Sequence, residues 1–359
     1  MREGRRRTVR IVHIYGTADS PFEGAAVAVA QHIRSQRPWA EVRDFHVGKC
    51  FADRIIEELK KDRPDLAVFH EIYRPAFLPV SAFLRKNHIP YVVVPHGGLT
   101  GRAQAIKRWK KIPANLLFFD RYLKGAAAIQ FLSDGERSES RFADKGIICP
   151  NGTPTDVPVR TRKTPEQGIR FLFLGRPDVR LKGLDLMLDA IAMEKDQLTA
   201  CQARFDLVGP DMEEILRPMI LERELEKLVF PGAPVTGAEK DACFTEADVF
   251  IQTSRSEGMP MGILEAAAHG LCCLATEGTR MGKALREAEA GIVCETNAKA
   301  IAEALETLLK DPREIDRMGA NARRLAKMKY DWTSIGRMTV DQYHELIANC
   351  ENPGREING

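Results

Sequence analysis

Short runs of buried-type residues recur along the chain, each giving way to helical periodicity, and this alternation constrains the fold more than any other feature. Strand-like runs fall at residues 10–15, 42–46, 66–70, 91–94, 127–131 and 147–149, then at 169–174, 205–208, 249–253, 271–275 and 291–293. Strands that alternate with helices imply repeated βα units and parallel sheets, so the expected class is α/β. At 359 residues the chain is long for one core and fits two domains. The stretch 153–168 is rich in Pro, Thr and charge and lacks periodicity. The expected division is therefore a first domain at 1–155, a linker at 156–168 and a second domain at 169–332. Helical patterns from Asn297, Pro312 and Thr333 close the chain, and the tail beyond Glu351 is expected to fray.

Composition excludes several classes. A hydrophobic content of 44% with 29% charged residues is that of an ordinary globular protein. No apolar run approaches the roughly 18 to 20 residues that span a bilayer. The first ten residues are basic without the apolar core of a signal peptide, so secretion is not expected. Eight cysteines show no Cys-x-x-Cys spacing, and Cys272 and Cys273 fall in an apolar strand, as in a reduced, cytoplasmic protein. No cluster has metal-ligand spacing, so no metal is expected. The net charge of +3 hides an asymmetry of +10 over residues 1–160 against −7 over the rest. The excess is concentrated in Arg2, Arg5, Arg6, Arg7 and Arg10, and in Arg102, Lys107, Arg108, Lys110, Lys111, Arg121 and Lys124. Besides a solvated face, such charge suits a membrane surface or an acidic acceptor; nucleic acid is not expected, because no binding-fold signature accompanies it.

Two segments carry the chemistry. Residues 253–266, Thr-Ser-Arg-Ser-Glu-Gly-Met-Pro-Met-Gly-Ile-Leu-Glu-Ala, follow a strand and place Glu257 in a Gly/Pro loop and Glu265 inside an apolar helix. Pro260 suits the first helical position. Glu265 then lies about 7 Å along the axis at 1.5 Å per residue. That offset matches the separation of the two sugars of a nucleotide-diphosphate-sugar, with Glu257 on the transferred sugar and Glu265 on the ribose. The N–H groups of Gly258, Met259, Met261 and Gly262, with Ser254, face the phosphates between them. The plainer reading is a surface Glu and a Glu that complements the helix dipole. In the second segment, the strand 169–174 runs into Gly175-Arg176-Pro177-Asp178-Val179-Arg180-Leu181-Lys182-Gly183 and then a helix. Arg176 and Lys182 occupy the strand-to-helix loop, where open α/β sheets bind ligands, and make a diphosphate clamp.

On these residues the chain resembles the retaining glycosyltransferases of family 4. Ala127 to Ser133 followed by Glu136, the Pro150-Asn151-Gly152 turn, the Gly209 and Gly232 strand ends, and Asp331-Trp332 with Tyr343 are similar to further family motifs. The resemblance implies GT-B architecture, two Rossmann-like domains with parallel sheets facing a central cleft, and a C-terminal helix, 333–350, packing back toward the first domain. His96, in Val94-Pro95-His96-Gly97-Gly98, matches the family's histidine that contacts the transferred sugar or places the acceptor. His70 and Glu71 are weaker candidates. A nicotinamide fingerprint is absent after the first strand, where Gly24-Ala25 stands for the family's paired glycines. Thr253 replaces a frequent Pro, and Gly278-Thr279-Arg280 a common Gly-Gly.

The expected function is retaining transfer of a hexose from a UDP-, GDP- or ADP-sugar to a hydroxyl acceptor, with no cofactor beyond that donor. Glu257, His96, Arg176 and Lys182 are the catalytic candidates; Gly24, Arg176, Lys182, Gly209, Gly232, Ser254, Gly258, Met259, Met261, Gly262 and Glu265 are the donor-binding ones. Two other readings stand beside it, a non-catalytic nucleotide-sugar-binding partner of another transferase and a GT-B epimerase. The segment 105–112 mixes cations with an indole and is followed by Leu116-Leu117-Phe118-Phe119, which suits an anionic membrane interface or, as plainly, a core helix.

Overall fold

A computed structural model describes residues 8–16, 24–161 and 168–351. Arg2, Arg5, Arg6 and Arg7, residues 17–23, part of the expected linker at 162–167 and the tail from Asn352 lie outside the described residues. The chain forms two compact units. The first comprises the opening strand, Ala25–Asn151 and the segment from Trp332; the second comprises Gly152–Asp331 together with Gly24.

The first unit holds a parallel sheet of β1 (Arg10–Tyr15), β2 (Glu41–His46), β3 (Leu66–His70), β4 (Tyr91–Val94), β5 (Ala128–Phe131) and β6 (Gly146–Ile148), in the order β2-β1-β3-β4-β5-β6. Its central strands are buried on both faces, because helices cover both sides of a parallel sheet; the edge strands β2 and β6 are only half buried. Phe69, Phe77, Tyr91 and Tyr122 pack together on one face. On the other face the helix Trp332–Glu351 lays Val340 and Tyr343 over Ile11, Val68 and Val92. Gly336 lets that helix approach closely, since a Cβ there would lie 2.1 Å from the Ser35 carbonyl oxygen.

The second unit holds β7 (Arg170–Leu174), β8 (Arg204–Val208), β9 (Val229–Gly232), β10 (Val249–Gln252), β11 (Cys272–Thr276) and β12 (Gly291–Cys294), all parallel, in the order β12-β11-β10-β7-β8-β9. The order reverses at β7/β10 here and at β1/β3 in the first unit. These are the two common doubly wound patterns, and both bind ligands at the carboxyl ends of the strands beside the reversal. Residues 153–161 run along the second unit. Thr153 bridges to Asp331, and the buried Arg160 guanidinium bonds Asp248 and Asp316 at 2.7 Å each. Among the described residues, no helix is long and apolar enough to cross a membrane and no group of side chains could hold a metal ion.

Candidate functional site

Two loops are stitched together at the reversal point of the second sheet. After β7, Asp178 caps the short helix Val179–Lys182 through the Leu181 N–H at 3.0 Å. Gly183 ends that turn at φ +66° and starts the helix Leu184–Met193. A Cβ at Gly183 would sit 2.1 Å from the Thr253 carbonyl oxygen, so both its backbone angle and its surroundings demand glycine. Thr253, at the end of β10, donates its hydroxyl to the Gly183 carbonyl at 2.9 Å. Arg255 then clamps Asp185 bidentately at 2.6 and 2.7 Å, while its own N–H bonds the Leu181 carbonyl. A hydroxyl thus does the fastening where the resembled family often has proline.

This stitching sets Lys182 against Glu257. Glu257 Oε1 accepts from Lys182 Nζ at 2.6 Å, Ser254 Oγ at 2.9 Å and Gln252 Nε2 at 3.3 Å. All three contacts gather on Oε1, and Oε2 has no protein partner among the described residues. The side chains of Lys182 and Glu257 are 17% and 15% exposed, deep enough for strong electrostatics yet open to a ligand. The Glu257 N–H is held by the Gly278 carbonyl at 2.8 Å, where a Cβ on Gly278 would meet the Ser254 carbonyl oxygen at 2.2 Å.

The helix that follows runs Met261–His269 with Pro260 as its N-cap. Pro260 therefore sits one residue outside the helix rather than at its first position, a shift within the ambiguity of helix ends. Gly262 packs flat on β10, since a Cβ there would lie 2.7 Å from the Phe250 ring. Glu265 repeats the pattern of Glu257: Oε1 accepts from Lys240 Nζ at 2.7 Å, and Oε2 has no protein partner among the described residues. Gly258 and Met259 lie in the turn before the helix, with Met259 buried. Arg176 is exposed at the start of the β7 loop. Gly209 and Gly232 close β8 and β9 and are joined by an N–H···O bond of 3.1 Å. Gly24 opens the helix Gly24–Gln36.

In the first unit His96 follows β4 at φ +46°, ahead of Gly97 at φ +82°. The turn is fastened by buried Glu136, which accepts from the Gly97 and Leu132 N–H groups at 2.7 and 2.8 Å. His96 Nε2 lies 3.1 Å from His70 Nδ1, His70 Nε2 lies 2.8 Å from His13 Nδ1, and His13 Nε2 lies 3.0 Å from Gln36 Oε1. His32 completes the group, bonded to Asn151 at 3.2 Å and edge-on to Trp332. Burial holds these imidazoles neutral: it pushes His13 and His96 down to about 3 and His32 to about 4, and His70 well below its ordinary value. Glu71, the weaker candidate beside His70, pairs with Arg74 at 2.6 Å.

Sequence reasoning missed Lys240, Gln252, Asp185, His13 and Gln36. Lys240 had a weak signal, a cation on the helix just before the strand that leads to Glu257. His13 and Gln36 had none, because the order of strands that joins them to His96 is not written in local patterns.

Residues 159–325 match the family model described as "Glycosyl transferases group 1". The chain is 28% identical over 244 residues to a D-inositol 3-phosphate glycosyltransferase of Pseudarthrobacter chlorophenolicus, covering 63% of this chain and 58% of that protein. It is 30% identical over 230 residues to the phosphatidyl-myo-inositol mannosyltransferase of Mycobacterium leprae, covering 63% and 60%. It thus spans about three fifths of the length of these curated relatives. Among solved structures, sucrose-phosphate synthase from Thermosynechococcus elongatus superposes with TM-score 0.76 at 17% identity, over 94% of this chain and 99% of that one. HepE of Anabaena in complex with UDP gives 0.73 at 16% identity, over 94% and 100%. The chain has the GT-B fold of these glycosyltransferases. The residues that match the group 1 model lie within its second unit.

Proposed function

We propose that this protein is a retaining glycosyltransferase of family 4 that moves a hexose from a nucleotide-diphosphate-sugar to a hydroxyl acceptor. The observation that carries the reading is the pair of glutamates, each held by a lysine through Oε1 and each leaving Oε2 for a hydroxyl. Glu257 orients the transferred sugar and Glu265 holds the ribose, with the start of the helix Met261–His269 facing the diphosphate. Arg176 and Lys182 stabilise charge on the leaving diphosphate, so no divalent ion is needed there. Lys182 shares itself between Glu257 and phosphate, which couples sugar orientation to leaving-group stabilisation. A donor phosphate oxygen takes the acceptor proton on the face the diphosphate leaves, retaining configuration. HepE has been solved with UDP and with UDP-glucose, which makes a uridine donor the first to test.

The acceptor side rests on the first unit. Trp109 and Leu116 are 74% and 76% exposed, and Ile106, Ile112, Leu117 and Phe118 are exposed beside Lys107, Arg108 and Lys110, while Phe119 turns into the core. Apolar side chains interleaved with cations fit the interface of an anionic, cytoplasmic leaflet, and an acceptor linked to lipid. Curated relatives named for inositol phosphate and phosphatidyl-myo-inositol support a polar, anionic acceptor of that kind.

The reading is tested by a thermal-shift screen of nucleotide-sugars, followed by turnover with and without chelator and sedimentation with vesicles. Expected are stabilisation by one donor class, chelator-resistant turnover and salt-sensitive binding to anionic vesicles. Turnover that requires manganese or magnesium would overturn the clamp. Indifference to anionic vesicles at low salt would point to a soluble acceptor.

A further inference from the structure

Four of the eight histidines in the chain, His13, His32, His70 and His96, gather in the first unit, and three of them are joined end to end with Gln36. Gln36 Oε1 can only accept, so His13 Nε2 must carry the proton. His13 Nδ1 is then a lone pair and accepts from His70 Nε2–H. By the same step His70 Nδ1 accepts from His96 Nε2–H, and His96 Nδ1 is left as a lone pair with no protein partner among the described residues. Each link leaves one choice. We infer that Gln36, His13 and His70 are positioning residues that lock His96 into the neutral Nε2–H tautomer, so that Nδ1 presents a hydrogen-bond acceptor to a substrate hydroxyl.

Three observations make this more than a stack of buried rings. Gln36, His13 and His70 are at most 1% exposed, so no solvent competes to set the tautomer. The three links come from the helix Gly24–Gln36, β1 and β3, and the relay crosses the β1/β3 reversal point at which this kind of sheet binds ligands. His96 is held in a left-handed turn by Glu136, a strained conformation of the kind that is kept at working sites. The groups that bear on the relay are His32, Arg37 at the end of the same helix, and Tyr343 from the C-terminal helix, whose hydroxyl interacts with Gln36. His32 and Arg37 both disfavour charge on His13.

The consequence for turnover rests on the proposed transfer reaction; the tautomer does not. Ring-nitrogen NMR of the 15N-labelled full chain reads the tautomer without substrate. The expected wild-type spectrum shows His13, His70 and His96 neutral, each protonated on Nε2 and unchanged from pH 8 to 5. Gln36→Met keeps the volume and removes the acceptor; His96 should lose its single tautomer, and kcat should fall about tenfold with the donor KM unchanged. Gln36→Glu keeps an acceptor and should retain the wild-type tautomers at pH 8. On acidification its carboxylate stabilises a second proton on His13, at Nδ1; His13 Nε2–H still donates to the carboxylate, the two histidine–histidine bonds reverse, and His96 becomes Nδ1–H with an acid limb in kcat. His96 found as Nδ1–H in the wild type overturns the inference. So does a folded Gln36→Met chain with an unchanged His96. If Gln36→Met does not fold, a Gln36→Glu spectrum constant between pH 8 and 5 overturns it instead. The NMR result with no sugar transfer would sink the proposed function and leave the relay standing.

Discussion

The two units solve the same problem, polar groups at the reversal point of a parallel sheet, with opposite chemistry. The first uses neutral imidazoles linked in series and kept neutral by burial. The second uses formal charge, in Lys182 with Glu257, Lys240 with Glu265 and, deeper, Arg160 with Asp248. A neutral acceptor suits an uncharged hydroxyl, whereas fixed cations suit a diphosphate. The division also makes the units respond to different perturbations, which is how the comparison can be broken.

Acid should give the largest effect, and it should fall on the first unit. The folded-state pKa of His13, His32, His70 and His96 lies below the unfolded value of about 6.5, so the unfolded chain binds more protons as pH drops. Their stabilising contribution is complete above pH 6.5 and is lost as pH falls toward 4 and 3. Each histidine then costs up to about 1.4 kcal/mol per pH unit, so the four together dominate. Denaturation followed through Trp332 at pH 7.5, 6.5, 5.5 and 5 should show a steep decline starting near 6.5. A flat profile would mean that these imidazoles are not buried neutral.

The second unit should break where its deepest charge is orphaned. Arg160 is 5% exposed at its side chain and Asp248 is fully buried, with Asp248 Oδ2 also accepting the Arg170 N–H. Removing one partner of such a pair costs about 3–5 kcal/mol because the other stays buried without compensation. Arg160→Ala should therefore lower the denaturation midpoint of the second unit strongly while leaving the acid profile of the first unchanged. A loss below about 1 kcal/mol would show that the pair is solvated in solution.

The difference between the units also explains what was legible in the sequence. Strands buried on both faces are continuous apolar runs, so β3, β4, β10 and β11 could be read almost to the residue. Gly183 and Gly262 mark backbones that must approach closely, and they stand beside the residues they position. Glu257 and Glu265 were readable because a loop and one helix fix their spacing locally. Their lysines were not equally so. Lys182 belonged to a recognisable strand-to-helix loop, but Lys240 is tied to Glu265 only through helix packing. The histidine relay was least legible of all, since His13 and His70 meet only because β3 pairs with β1 on the side away from β2.

At the site itself, Lys182→Ala should act on turnover more than on folding. A charge-assisted contact is worth roughly 1.5–3 kcal/mol, so a loss on the order of tenfold to a few hundredfold in kcat/KM is expected. Glu257→Gln should lower turnover and spare affinity for the free nucleoside diphosphate, because its proposed partner is the sugar. Normal kcat/KM in a stable Lys182→Ala protein would remove that lysine from the reaction.

Lys240→Met should give the smallest effect and the sharpest test of the paired-glutamate pattern. Lys240 is 28% exposed and Glu265 15%, so solvent screens the pair and the direct electrostatic loss is of the order of 0.5–1 kcal/mol. Methionine keeps the apolar stem over the helix Met261–His269 and removes only the ammonium, so stability should change little. What changes is the carboxylate: with Oε1 released, Glu265 is free to rotate, and the geometry of Oε2 is no longer fixed. Calorimetry should then show nucleoside diphosphate binding weakened about two- to fivefold, with kcat at saturating donor unaltered. Glu265→Gln should weaken the same binding by more, because it removes the charge and one of the two acceptor oxygens as well as the pairing with Lys240. If Lys240→Met instead lowers kcat and spares nucleoside diphosphate affinity, Glu265 belongs to the reacting sugar, and the roles given to the two glutamates are reversed.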